Sequence, residues 1–218
     1  MSAATAHVAT LFSLADSRLP TGGHVHSGGV EEAIEQGLVR DIDTLEEFLV
    51  RRIRTSGAVA ASIAAALCES SIGVDRAEAE ADARTPSPAA RAASRAQGRG
   101  LLRLAKATWA QHDWSVLPAK PHLAVVSGVV GAVAGLTGAD IASVQIYTTM
   151  TGSAVAAQRL LALDPSEVAA CTLRIARTCD AVADLVCERL PHLTDLSDPL
   201  LDVLAETHVR RERPLFAS

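Results

Sequence analysis

Close to the amino terminus, His24, His26, Ser27, Glu31, Glu32 and Glu35 gather two imidazoles, a hydroxyl and three carboxylates into one short stretch. His24 and His26 alternate, so in an extended segment both rings point the same way. Imidazoles are borderline ligands that suit Ni, Zn or Cu. Two ligands leave a metal site incomplete, and a symmetric second copy would supply four. The competing reading is a pair of histidines in a polar hinge. Pro20 breaks the apolar segment before it, and Gly22-Gly23 opens backbone angles closed to other residues. The hinge residues Pro20, Gly22, His24, His26, Ser27 and Glu31 are therefore the candidate functional surface.

No other chemistry is as legible. The chain lacks G-x-x-x-x-G-K-[ST], H-E-x-x-H and G-x-S-x-G. Ser, His and Asp occur, but no spacing assembles them as a triad. Asp195 and Asp198 read as helix caps rather than an acid–base pair. Cys68, Cys171, Cys179 and Cys187 form no C-x-x-C and read as buried small hydrophobes. Reduced thiols fit a cytoplasmic protein, and no basic segment followed by an apolar core marks a signal peptide. The residues call for no enzyme.

The formal net charge is -5, from 20 basic and 25 acidic residues, which argues against a nucleic-acid partner. Arg91, Arg95, Arg99 and Arg103 recur every four residues and read as a solvated helix face, with an acidic protein partner as the alternative.

These residues must be positioned by helices. The chain is 49% hydrophobic but only 3% aromatic, so its apolar mass is mostly Ala, Leu and Val. Ala and Leu favour helix, and small side chains let helices approach closely. The expectation is an all-α fold: one helical domain of about eight to ten helices over residues 1–209, with a flexible, partner-docking tail over 210–218. The pattern predicts helices over 5–16, from 29 to Gly37, and continuously from an Asp43/Glu46 capping box to about 70. Further helices are expected over 75–83, over 86–109 behind a Thr85 cap, and over the two uncharged stretches 121–139 and 141–158. Asp164-Pro165 and Asp198-Pro199 start the last two. The uncharged stretches carry too many glycines and polar groups for lipid, so no membrane span is expected. Gly128, Gly131 and Gly135 fall at helical spacing and are expected to permit close helix contact.

The stretch from Leu11 to Val39, L-F-S-L-A-D-S-R-L-P-T-G-G-H-V-H-S-G-G-V-E-E-A-I-E-Q-G-L-V, resembles the opening of the urease accessory protein F (UreF) family. Pro20, Gly22, Ser27, Gly29, Glu31 and Gly37 fall on that family's pattern. S-R-A-Q-G-R-G-L-L-R-L, H-L-A-V-V-S-G, S-A-V-A-A-Q-R-L-L and the closing Leu215-Phe216 with Ser218 continue it in order. The chain departs from the pattern where His24 and His26 replace aromatic residues, where L-A-L-D-P follows Arg159-Leu160, and where Ala217 replaces an arginine that Arg213 partly restores.

The resemblance implies an all-α, cytoplasmic homodimer that is not an enzyme. It implies a scaffold bridging a D/H-type urease accessory subunit and a nickel-carrying GTPase, so that nickel enters apo-urease. No tightly bound cofactor is expected; nickel is the complex's transferred cargo. The hinge, Arg159, Arg213, Leu215 and Phe216 are then the expected partner contacts. Two alternatives follow: regulation of GTP hydrolysis through Arg159, or direct nickel carriage through His24 and His26.

Overall fold

In the computed structural model the described residues are 8–19, 26–211 and 215–216. They form ten α-helical segments: α1 (Val8–Ala15), α2 (Val30–Glu35), α3 (Ile42–Arg52), α4 (Ala58–Cys68), α5 (Val74–Ala83), α6 (Pro88–Thr108), α7 (Leu123–Val133), α8 (Gly138–Leu161), α9 (Pro165–Glu188) and α10 (Pro199–His208). The fold is all-α, as expected. No helix among the described residues is long and apolar enough to cross a membrane.

The alanine-rich α4 is the axis. Ten of its eleven residues are buried, because α7, α8 and α9 surround it. Its side chains reach two apolar clusters, one shared with α2, α3, α8, α9 and α10, the other with α5, α6 and α7. Glycine sets the spacing: a Cβ on Gly128 would stand 2.7 Å from the Ala64 carbonyl oxygen, and one on Gly131 would stand 3.1 Å from Cys68 Sγ. Gly135 does something else. It lies past the end of α7 at φ 72°, a left-handed position that ends the helix.

Several boundaries differ from the sequence reading. The cap of α3 is Asp41, whose carboxylate accepts the Thr44 N–H at 2.9 Å while Thr44 Oγ1 accepts the Asp41 N–H at 3.1 Å. Asp43 lies inside the first turn. The long helix is interrupted by a π turn, Ile53–Gly57, between α3 and α4. Thr85-Pro86-Ser87-Pro88 holds two cap–proline pairs, and α6 uses the second, with Ser87 Oγ accepting the Ala90 N–H at 3.0 Å. Asp164 caps α9 as expected.

The arginine stripe is split. Arg95 pairs with Glu78 and Asp82, both at 2.8 Å, and Arg91 reaches Asp82 at 3.9 Å, while Arg99 and Arg103 are exposed. Half of the stripe is thus a clamp on α5. Cys68, Cys171 and Cys179 are buried, and burial pushes their thiols up to about 11, so they stay protonated and inert near neutrality.

Candidate functional site

The chain enters α2 through Gly28 and Gly29, at φ 62° and 90°, angles that L side chains rarely adopt. Gly28 also lies under the Arg52 guanidinium, where any Cβ would overlap it. Arg52, the last residue of α3, donates through Nη1 to the Gly28 carbonyl and to Ser153 Oγ at 2.9 Å. Ser153 Oγ in turn donates to the Ser27 carbonyl at 3.0 Å. The Ser27–Gly29 turn is therefore pinned from α3 and from α8.

That turn launches a six-residue helix in which both Glu31 and Glu32 are buried. Burying a carboxylate is costly unless it is paired and hydrogen-bonded. The carboxyl-terminal segment meets that demand. Glu31 Oε2 lies 2.7 Å from His208 Nε2 and accepts the Phe216 N–H at 3.0 Å, while Oε1 accepts the Leu215 N–H at 2.8 Å. Arg211 bridges Glu32 at 3.3 Å and Glu35 at 3.2 Å. Burial opposes ionisation of Glu31, but the hydrogen bonds from His208, Leu215 and Phe216 prevail and hold its carboxyl below the usual range.

The foundations of this clasp lie on α10. Arg51 makes a two-pronged ion pair with Asp198, Oδ1 to Nη2 at 2.6 Å. Glu206 accepts from Ser87 Oγ at 2.5 Å and from the Ala89 N–H at 2.9 Å. Leu204 is fully buried and packs over Gly29.

The structure thus joins three of the expected site residues, Glu31, Leu215 and Phe216, and seats Ser27 beside them. His26 faces a cavity of about 640 Å³ that Gly28, Arg52 and Ser153 also line. Arg159 lies apart, exposed on the last turn of α8 at that cavity, with no ion pair among the described residues. Asp164, just past the end of α8, is occupied in capping α9. Pro20, Gly22, His24 and Arg213 lie outside the described residues, as does Ala217. Among the described residues no group of three or more His, Cys, Asp or Glu is placed to hold a metal ion. The tail pair is not uniformly exposed. Leu215 is 77% exposed, whereas Phe216 is partly buried against the core.

A second polar array was not expected. His122, buried at the start of α7, has Nδ1 3.0 Å from Ser94 Oγ and Nε2 2.9 Å from Asp82 Oδ1. Ser, His and Asp are therefore assembled after all, across α5, α6 and α7. Ser94 Oγ also accepts the Leu123 N–H at 3.2 Å. Its proton then goes to Nδ1, which leaves Nε2–H for Asp82. The array ties three helices together at the α7 amino terminus.

The UreF family model matches residues 39–176. The chain belongs to the UreF family. It is 64% identical over 209 residues to the urease accessory protein UreF of Mycobacterium sp. strain JLS, covering 96% of this chain and 98% of that protein. The same-named protein of Mycobacterium marinum is 62% identical over 97% of this chain and 99% of its own length. That of Mycobacterium tuberculosis strain H37Ra is 57% identical with the same coverage. The matches to these relatives extend over 96–97% of this chain, whereas the family model covers neither residues 1–38 nor residues 177–218.

Sequence reasoning picked out Glu31 and the tail but missed His208, Arg211, Arg51, Arg52 and Ser153. His208 and Arg211 stand near the end of the last helix, where basic residues ordinarily face the helix dipole, so nothing local marked them. Arg52 and Ser153 are 101 positions apart, and only the fold brings them together.

Proposed function

We propose that this chain is a scaffold of urease maturation that bridges a D/H-type accessory subunit and a nickel-carrying GTPase and promotes nickel insertion into apo-urease. Membership of the UreF family carries the general role: accessory proteins serve urease and are not themselves enzymes. The observation that carries the finer reading is the clasp. It holds the backbone of Leu215 and Phe216 against Glu31 of α2 and leaves the Leu215 side chain standing outward. An apolar side chain so presented gives a partner something to bury.

The D/H-type subunit docks on residues 210–218 and the neighbouring helices, and the GTPase meets the hinge and Arg159. The working form is a cytoplasmic homodimer. Exposed apolar side chains on α1, α8 and α9, among them Phe12, Tyr147 and Leu173, supply surface for a second copy. Nickel is cargo of the assembly, and no resident cofactor is part of the proposal. Deleting residues 210–218 should weaken D/H-subunit binding more than tenfold, about 1.4 kcal/mol, in calorimetry. Unchanged affinity would remove the docking claim.

One observation favours a second reading, control of GTP hydrolysis. Arg159 is an exposed cation without an ion pair among the described residues, as a residue that stabilises phosphoryl charge in trans would be. Adding the chain to the GTPase should then raise turnover, and Arg159→Ala should abolish the increase. Direct nickel carriage by His24 and His26 is decided by titrating nickel into the wild type and the double alanine variant.

A further inference from the structure

Residues 86–139 hold both of the chain's lysines, Lys106 and Lys120, and four arginines, against one acidic residue, Asp113. A strongly basic stretch is thus set in a chain whose formal net charge is -5. The fold neutralises only its first part, where Glu78 and Asp82 of α5 take Arg95 and Asp82 reaches Arg91. Arg99, Arg103, Lys106 and Lys120 are exposed and make no ion pair among the described residues. Asp113 is spent as a cap, accepting the Ser115 N–H at 2.9 Å.

These cations share one face. Positions 99, 103 and 106 follow the steps of three and four that align side chains on a helix, and the row runs about 10 Å. Lys120 is set beside its start, because Arg95 donates to the Lys120 carbonyl and Gly98 lies under the Pro121 carbonyl, where a Cβ would stand 2.2 Å from the oxygen. Like charges four apart on a helix repel, and Arg95, Arg99 and Arg103 stand at that spacing. The α5 carboxylates relieve the repulsion at Arg95 alone. Lys106 lies on the last turn, where the helix end favours a cation, but Arg99 and Arg103 stand too far inside for that effect. The stability of α6 therefore does not call for this pair.

We propose that the Arg99–Arg103–Lys106 face of α6 is a docking surface for an acidic segment of another protein. Two guanidinium forks take carboxylates in two-pronged pairs, and the lysines add point charges at either end of the row. A nucleic acid fits less well: the row is short, and the acidic remainder of the chain repels a long polyanion while a short acidic segment meets the basic face alone. Arg103 lies about 20 Å along α6 from the Ala89 N–H that Glu206 of α10 accepts. The surface is therefore separate from the clasp, goes beyond the scaffold reading and does not depend on it.

The test titrates the full chain into a fluorescein-labelled, end-blocked hexaglutamate peptide and follows anisotropy at low and high sodium chloride. Wild type should bind saturably, and added salt should weaken the binding. The double variant Arg99→Gln/Arg103→Gln should bind at least about fivefold more weakly. Arg177→Gln removes an exposed cation of α9 that also has no ion pair among the described residues, and it should bind as wild type does. No saturable binding of the peptide, or equal weakening by Arg177→Gln, overturns the surface. A labelled single-stranded hexanucleotide is the competing probe; tighter binding of it than of the peptide, lost in the same double variant, overturns the protein occupant. Should the double variant fail to fold, Arg103→Gln alone decides.

Discussion

The carboxylate of Glu31 accepts the backbone N–H of Leu215, 184 positions further along the chain, at 2.8 Å. The same carboxylate holds the Phe216 N–H and the His208 imidazole, so one side chain of the hinge helix ties His208, Leu215 and Phe216 together. Removing it strands a buried imidazole and two backbone donors. Glu31→Ala should destabilise the chain by about 3–5 kcal/mol, as breaking a buried pair does. Urea unfolding measures this, and limited proteolysis should show cleavage near residue 211. A loss below about 1 kcal/mol would mean that the clasp contributes little.

The pH dependence follows from the direction of the Glu31 shift. Its carboxyl is held lower in the folded chain than the ordinary value of about 4.3. The clasp's contribution is therefore complete above the unfolded value and is lost as pH falls through the lower, folded one. The stability difference between wild type and Glu31→Gln should shrink as pH falls below about 4. A difference that stays constant down to pH 3 would contradict this.

The two apolar residues of the tail should separate experimentally. Phe216 packs against the core, whereas the Leu215 side chain is 77% exposed. Phe216→Ala should lower stability by about 1–3 kcal/mol through lost burial. Leu215→Asp should leave stability within about 0.5 kcal/mol, because it changes an exposed site, yet weaken D/H-subunit binding more than tenfold. Unfolding curves and calorimetry on the same two variants check both statements. If Leu215→Asp bound normally, the docking surface would have to lie elsewhere.

How far these features could be read beforehand depended on their range. Helix content, the Asp164 cap and the glycine contacts of α7 followed from local composition and spacing, where propensity and capping act within one turn. Caps were misplaced where the sequence offers adjacent candidates, Asp41 beside Asp43 and Thr85 beside Ser87. Tertiary contacts decided the second, since Glu206 grips Ser87. Glu31 was legible because it sits in a punctuated hinge. His208 and Arg52 were not, because their roles come from partners more than twenty positions away.

The Ser94–His122–Asp82 array makes a structural prediction. Hydrogen bonding by His122, and after it by Arg95, outweighs burial and holds the Asp82 carboxyl low, so Asp82 stays ionised as the acceptor. Ser94→Ala deprives the Leu123 N–H of its acceptor and His122 Nδ1 of its donor. It should cost about 1–3 kcal/mol, the penalty of leaving buried polar groups unmade. Stability unchanged on chemical denaturation would show that water replaces the hydroxyl.

Two glycines on neighbouring helices should respond to the same substitution with opposite sign. Gly128 of α7 faces α4, where an added Cβ would stand 2.7 Å from the Ala64 carbonyl oxygen and 2.9 Å from Leu67 Cβ. Neither neighbour is the free end of a flexible side chain, so the helices must separate, and Gly128→Ala should cost about 1–3 kcal/mol. Gly152 of α8 lies inside a helix, and a methyl group added there would have nothing within 4 Å. Alanine at that position meets no steric barrier and restricts the unfolded chain, so Gly152→Ala should stabilise by about 0.4–1 kcal/mol. Both are read from urea midpoints at unchanged slope. If the two variants shifted in the same direction, glycine at 128 would not be setting the distance between α4 and α7.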